Sequence, residues 1–262
     1  ELAGWNQTEN DWRRLLSLQP DGCFCATIGS EVVATTTTTA YGNELAWIGM
    51  VLVDPVHRKR GIATRLMEVA IDYLSKVGVT TIKLDATVAG HPLYESLGFK
   101  DESLIERWEG IAGTAAGDAT LDLDRAMRQE VLTLDRQSFG ADRSKLVEML
   151  IADAHVRPLV TRGMDGRVTG YALARRGTAA AYVGPLMATV PAAASELLDG
   201  LVNQLSGESV YVDLNTESVG GREMLEARGL SKQRDLIRMS YGKGSLAGTS
   251  PPILAIAGPE VG

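Results

Sequence analysis

Cysteine is almost missing from this chain of 262 residues: Cys23 and Cys25 are the only two. A disulfide scaffold is excluded, and in "GCFCATI" the pair would share one face of a strand, too close in sequence for an ordinary bridge. Both are expected to be small buried thiols of a protein kept in a reducing, cytoplasmic compartment. Histidine is as scarce. Three scattered copies and two cysteines offer no zinc pattern, so no metal is expected. Basic charge is in deficit, with 26 Lys and Arg against 33 Asp and Glu, and the net charge of −7 argues against a general nucleic-acid binder. No apolar run is long enough to span a membrane and nothing reads as a signal peptide, so no membrane partner is expected. An initiating Met is lacking too. The chain opens at "ELAGWNQTENDW", and a leading segment is expected ahead of it.

What the chain does hold is apolar material. Hydrophobic residues make up 45%, enough for a sizeable core in one large domain or two small ones. "NQTENDWRRLLSLQ" has a cap-like start and the apolar spacing of a short helix. "GCFCATIGSEVVATTTTTAYG" reads as two strands around a Gly-Ser turn, with the threonine run as β-branched strand sequence. "ELAWIGMVLVD" is nearly continuous apolar sequence, as in a central strand covered on both faces, and Asp54-Pro55 stops it. From Gly61, residues Ile62, Leu66, Val69, Ala70, Tyr73 and Leu74 make one helical face. "TTIKLDATV" reads as a strand and "HPLYESLGF" as a short helix closed by a glycine.

The Gly-, Ala- and Thr-rich stretch "EGIAGTAAGDATLD" then reads as a linker, assigned to 111–118. It separates a domain at 1–110 from another at 119–244. In the second, two helices precede the strands "RPLVTRG", "VTGYALARRG" and "AAYVGPLMAT". The helix "PAAASELLDGLVNQL", the strand "SVYVDLN", the helix "GGREMLEARGL" and the strand "LIRMSYG" follow. The tail 245–262 is expected to be extended or disordered. The halves repeat one plan: "WIGMVLVDP…TIKLDATV…LYESLGF" is echoed by "YVGPLMATV…VYVDLNTE…MLEARGL". That order implies a duplicated α/β domain, an α+β mixed sheet in each half.

In "VHRKRGIATRLMEVAIDYL", three basic residues stand directly before a helix start. Arg58-Lys59-Arg60-Gly61-Ile62-Ala63 forms R-x-x-G-x-A. A helix N-terminus exposes unpaired N–H groups and a partial positive charge, and small residues let a ligand approach the backbone. Such a turn suits a phosphate or pyrophosphate. The same six residues also fit a solvated loop with Gly61 as a turn residue.

Together with "LYESLGF" beyond the helix, the motif resembles the GNAT superfamily of acetyl-CoA-dependent N-acetyltransferases. Residues 44–100 carry the resemblance, and 119–243 resemble a second, degenerate GNAT-like unit of tandem members. The first unit looks as if it lacks the family's initial strand and helix. The resemblance implies acetyl-CoA as cosubstrate and a primary amine of a small molecule or amino-acid-like acceptor as nucleophile. The amine attacks the thioester directly in a ternary complex and CoA thiolate leaves. By the same resemblance, Leu52 and Val53 hold the thioester and pantetheine, with Met50 and Val51 near the acyl end. Arg58, Lys59, Arg60, Gly61, Ile62, Ala63 and Thr64 form the pyrophosphate turn. Tyr94 is the acid that protonates the leaving thiolate, with packing under the cofactor as its other reading.

The amine's base is not legible; Glu44, at the start of the central strand, and a water chain are the candidates. Trp5, Asn6 and Trp47 are candidates to line the acceptor pocket, although a strand tryptophan such as Trp47 usually packs in the core. His91 is expected to face solvent. Thr87 stands where many members carry an Asn that contacts the CoA arm, and a hydroxyl replaces only one of its hydrogen bonds. In the second half "VPAAASELL" lacks the basic turn and Leu225 takes the place of Tyr94, so that half is not expected to turn over acetyl-CoA. Arg175-Arg176 is a candidate contact for an acidic acceptor, although an exposed basic pair at a strand end is usually solvated. A non-catalytic acyl-CoA-binding sensor or interaction module is the alternative to an enzyme, and a homodimer is left open.

Overall fold

A computed structural model of the chain describes residues 4–115, 120–242 and 253–262. The elements run α1 (Glu9–Leu18), β1 (Cys23–Ile28), β2 (Glu31–Tyr41), β3 (Leu45–Val53), α2 (Ile62–Lys76), β4 (Thr81–Ala86), α3 (His91–Ser96) and β5 (Lys100–Ile111). They continue as β6 (Leu121–Asp122), α4 (Arg128–Phe139), α5 (Ser144–Ala152), β7 (Leu159–Arg162), β8 (Val168–Arg175), β9 (Ala181–Ala188) and α6 (Pro191–Gln204). The last are β10 (Ser209–Asn215), α7 (Gly221–Glu226), β11 (Ser231–Gly242) and β12 (Ile253–Ala255). Two compact units result. The first takes Glu1–Glu102, Ile237–Leu246 and Pro259–Gly262; the second takes Ser103–Leu236 and Ala247–Gly258.

In the first unit a reciprocal cap starts α1: the Thr8 hydroxyl accepts from the Asp11 N–H, and the Asp11 carboxylate accepts from the Thr8 N–H at 2.7 Å. β1, β2 and β3 form an antiparallel meander. β3 and β4 run parallel, with α2 as the crossover, and Ile237–Gly242 of β11 adds to β4 antiparallel. The even-numbered residues Ala46 and Ile48 of β3 meet Met67, Ala70 and Leu74 of α2, with Ile82, Leu84 and Met239 completing the core. Trp47 lies on the other face and is only 1% exposed, so it is core, and Pro259 accepts its indole N–H at 3.1 Å.

In the second unit the strands lie in the order β5-β10-β12-β9-β8-β7-β6. β9 and β10 are parallel where they pair, and β12 lies between them farther on, antiparallel to both. The core joins Leu197, Leu198 and Leu201 of α6 to Ala172, Val183, Leu186, Val212 and Leu225.

Several expectations need correction. The compact units are not the contiguous segments 1–110 and 119–244, because the strand that closes each one comes from the other half of the sequence. β5, residues 100–111, was not expected and extends into the proposed linker; its charges had hidden it. Glu106 is 3% exposed, and burial pushes its carboxyl up, but hydrogen bonds from Arg222, Lys232 and Trp108 outweigh that and hold it below its ordinary value. Arg107 makes a two-pronged pair with Asp213, at 2.7 and 2.6 Å. Of the tail 245–262, residues 253–262 are described. The extended alternative holds at Ile253–Ala255, which form β12, but the segment is not a free end: Leu254, Ala255, Ile256, Ala257 and Val261 are all buried. The part at 245–252 lies outside the described residues. Cys25 is exposed and Cys23 half-buried, so the two thiols are not the buried pair expected.

Candidate active site

β3 and β4 pair at Leu45–Thr81, Ala46–Ile82 and Trp47–Lys83. Beyond those residues the strands part, although β3 continues to Val53 and β4 to Ala86. The parting coincides with an irregularity in the β2–β3 register between Thr35 and Thr37. There Met50 takes a φ of 52°, and the Thr35 hydroxyl donates to the Met50 carbonyl at 2.9 Å. Met50 is buried, while Val51, Leu52 and Val53 are half-buried. A stretch of β3 therefore lies at a gap in the sheet, with its β4 side unpaired.

The chain leaves that stretch through Asp54, whose carboxylate accepts from the Val56 N–H at 2.9 Å, and a single turn at Pro55–His57. Arg58, Lys59 and Arg60 are exposed. The Arg58 Nε donates to the Val53 carbonyl at 3.1 Å, and an Arg60 nitrogen lies 3.1 Å from His57 Nδ1. Lys59 at φ 60° and Gly61 at φ 77° are both left-handed, which turns the backbone into the start of α2. Gly61 is the cap residue and offers no side-chain acceptor. The Arg65 N–H is bonded to the Gly61 carbonyl at 3.0 Å, so the N–H groups of Ile62, Ala63 and Thr64 precede the helix ladder. A Cβ on Gly61 would meet nothing within 4 Å, so the turn is open on that side. Helix polarity and three exposed cations make this turn attractive to an anion.

Tyr94 sits in α3. Its ring packs edge-on against Phe99 with centroids 6.2 Å apart, and burial pushes its phenol up to about 12. The phenol therefore stays protonated throughout the neutral range. Because β3 and β4 are parallel, their C-terminal ends share one edge of the sheet. The basic turn follows β3 there and α3 follows β4, so both reach the mouth of the gap, as expected at the carboxyl ends of parallel strands.

Other predicted residues fall elsewhere. Glu44 is exposed in the turn before β3, and its carbonyl accepts from the Thr80 hydroxyl at 3.2 Å. Met50 lies six positions farther along, about 20 Å at 3.3 Å per residue, so Glu44 stands at the end of β3 away from the parted stretch. The Thr87 hydroxyl accepts from the Gly90 N–H at 3.2 Å and so shapes the turn after β4. His91 does not simply face solvent, since Asp101 lies 2.7 Å from its Nε2. Asn6 is buried and Trp5 half-buried in the segment before α1. Arg175 is not solvated: it is 5% exposed, donates to the Ala257 carbonyl at 2.7 Å and stacks 4.0 Å over the Tyr182 ring. Arg176 is exposed, as expected.

Two acetyltransferase family descriptions match the chain: the acetyltransferase (GNAT) family over residues 3–99 and an acetyltransferase (GNAT) domain over residues 131–252. The chain belongs to the GNAT superfamily, as a tandem N-acetyltransferase. Among curated proteins it is similar to the uncharacterized N-acetyltransferase YitH of Bacillus subtilis, 26% identical over 245 residues, 92% of this chain and 85% of that one. It is also similar to the holothin acyltransferase of a Pseudoalteromonas species, 26% identical over 98% of this chain and 87% of that one. A Pyrococcus horikoshii protein solved as a candidate acetyltransferase superposes with a TM-score of 0.82 at 25% identity, covering 97% of this chain and 84% of the other. Among the described residues no helix is long and apolar enough to cross a membrane, and no group of His, Cys, Asp and Glu is arranged to hold a metal ion.

Proposed function

We propose that the first unit transfers an acetyl group from acetyl-CoA to the primary amine of a small acceptor, by direct attack in a ternary complex. The observation that carries this reading is the gap between β3 and β4 opening directly before the left-handed turn at Lys59 and Gly61. A pantetheine arm is a chain of amides and can pair with the β3 edge at Val51–Val53 as a missing strand would. Its pyrophosphate then meets the N–H groups of Ile62, Ala63 and Thr64, with Arg58, Lys59 and Arg60 around it. Thr87 is held by its own turn and contributes at most its hydroxyl proton to the arm.

Tyr94 supplies the proton for the departing thiolate. Its buried phenol is a weaker acid than a free one, and it is always in the donating form at neutral pH. With Glu44 distant from the gap, the amine's proton passes to water. The family alliance and the similarity to a holothin acyltransferase favour a small-molecule amine over a macromolecule. A free-CoA release assay against a panel of amines, amino acids and aminoglycosides tests the reading. Turnover with a small amine is expected. Acetyl-CoA binding with no amine turned over would instead make the chain an acyl-CoA sensor.

A further inference from the structure

The gap in the first unit has a counterpart in the second. The parallel pairs Ala46–Ile82 and Trp47–Lys83 correspond to Ala181–Val210 and Tyr182–Tyr211. In that register Gly49 matches Gly184, and Val51 and Leu52 match Leu186 and Met187. Beyond Val183–Val212, β9 and β10 also part. Here the gap is filled by the chain itself. Ile253 and Ala255 of β12 pair with Met187 and Leu186, and Ala255 pairs on its other side with Leu214. The Ile256 N–H donates to the Asp213 carbonyl at 3.1 Å, and the Tyr182 hydroxyl donates to the Ile256 carbonyl at 3.3 Å. Leu254 and Ala255 are 2% and 0% exposed, within the core of the second unit. The fit depends on Gly184, where a Cβ would overlap the Ile256 carbonyl oxygen.

We propose that this second gap is a strand-binding site, and that its ligand is the chain's own Ile253–Ala255, standing where the second unit would otherwise take a pantetheine arm. The argument is one of equivalent positions. Leu186 and Met187, which hold β12, are the counterparts of Val51 and Leu52. In the second unit the peptide is paired on both edges; in the first, on the proposed reading, the acyl carrier pairs with β3 at the equivalent positions. The occupant is apolar because Leu254 enters the core, and it is extended because both neighbours need a strand. A parted pair of buried strands with nothing between them would leave backbone hydrogen-bonding groups unpaired, which is costly away from water. β12 is thus a structural substitute for a cofactor.

The test uses the full chain with a specific protease site inserted between residues 243 and 252, cut after folding. The freed segment 253–262 should stay bound through gel filtration, and a labelled synthetic peptide ILAIAGPEVG should exchange into its place. The same peptide carrying Leu254→Asp keeps residues 259–262 and should compete at least tenfold more weakly, because its carboxylate would enter the core. Release of the segment on cutting would overturn the proposal. So would equal competition by the two peptides, which would place the binding in residues 259–262 and not in the β9/β10 gap.

Discussion

Replacing Gly61 by Val tests the anion turn most directly, because the structure separates the two ways the change acts. At φ 77° the backbone is left-handed, where an L side chain costs about 1–2 kcal/mol. A Cβ would touch nothing within 4 Å, so no clash inside the protein adds to that cost. For a chain of this size the thermal midpoint should fall by about 2–4 °C per kcal/mol. The side chain instead adds bulk in the open space beside the cap residue of α2. Acetyl-CoA affinity measured by calorimetry should fall at least tenfold, or about 1.4 kcal/mol. Gly61→Asn separates the contributions, since Asn accepts left-handed backbone better than Val but still adds bulk. It should regain most of the stability and little of the affinity. Unchanged affinity in a folded Val variant would refute the pyrophosphate-turn assignment. Full affinity in the Asn variant would show that backbone strain, and not ligand approach, governs the site.

Tyr94→Phe should lower kcat roughly 10²-fold with little change in acetyl-CoA Kd, and an unchanged kcat would make Tyr94 a packing residue. The same variant has a pH signature. The folded phenol titrates at about 12 and an unfolded one near 10, so the parent keeps this group's contribution below pH 10 and loses about 1.4 kcal/mol per unit as pH rises toward 12. Melting curves between pH 10 and 12 should therefore fall more steeply for the parent than for the Phe variant. Acetyl-CoA should titrate to one site per chain, and two equivalent sites would contradict the assignment of β12 to the second gap. Residues 1–110 expressed alone lack Ile237–Gly242, the strand beside β4, and should aggregate or fail to bind acetyl-CoA; a monomeric, binding-competent fragment would show that the borrowed strand is dispensable.

Much of the proposed site could be singled out in the sequence because its signals are local. β3 is a continuous apolar run, α2 has one apolar stripe, and the turn between them concentrates Arg58, Lys59, Arg60 and Gly61. Tyr94 was singled out through a motif in a single short helix. What escaped was set by partners far along the chain. Arg107 reads as a surface charge until Asp213, 106 positions away, is placed beside it. Arg175 reads as solvated until the Ala257 carbonyl and the Tyr182 ring are placed against it. Glu44 looked eligible because the sequence does not show where the acceptor amine enters; with β3 extended from Leu45 to Val53, Glu44 stands at the end of the strand away from the turn. "ILAIAG" looked like a frayed end because its pairing residues, Leu186, Met187 and Leu214, lie well upstream.

On the proposed function, one duplicated plan keeps chemistry in one copy and gives it up in the other. β3 ends at Val53 and α2 begins at Ile62, which leaves room for a cationic turn. β9 ends at Ala188 and α6 begins at Pro191, so only Thr189 and Val190 intervene, and proline removes one of the first N–H donors of the helix. Leu225, wholly buried in the second core, replaces the phenol of Tyr94. Each change removes a reason to admit acetyl-CoA, but none removes the parting of β9 and β10 beyond Val183–Val212. That gap must be closed by something with a strand's hydrogen-bonding groups, and the segment that closes it has to be apolar and uncharged. The tail meets this requirement, with no charge from Ile253 until Glu260, after the chain has left the second unit at Gly258. The composition that made the tail look structureless is therefore what its place between two buried strands demands.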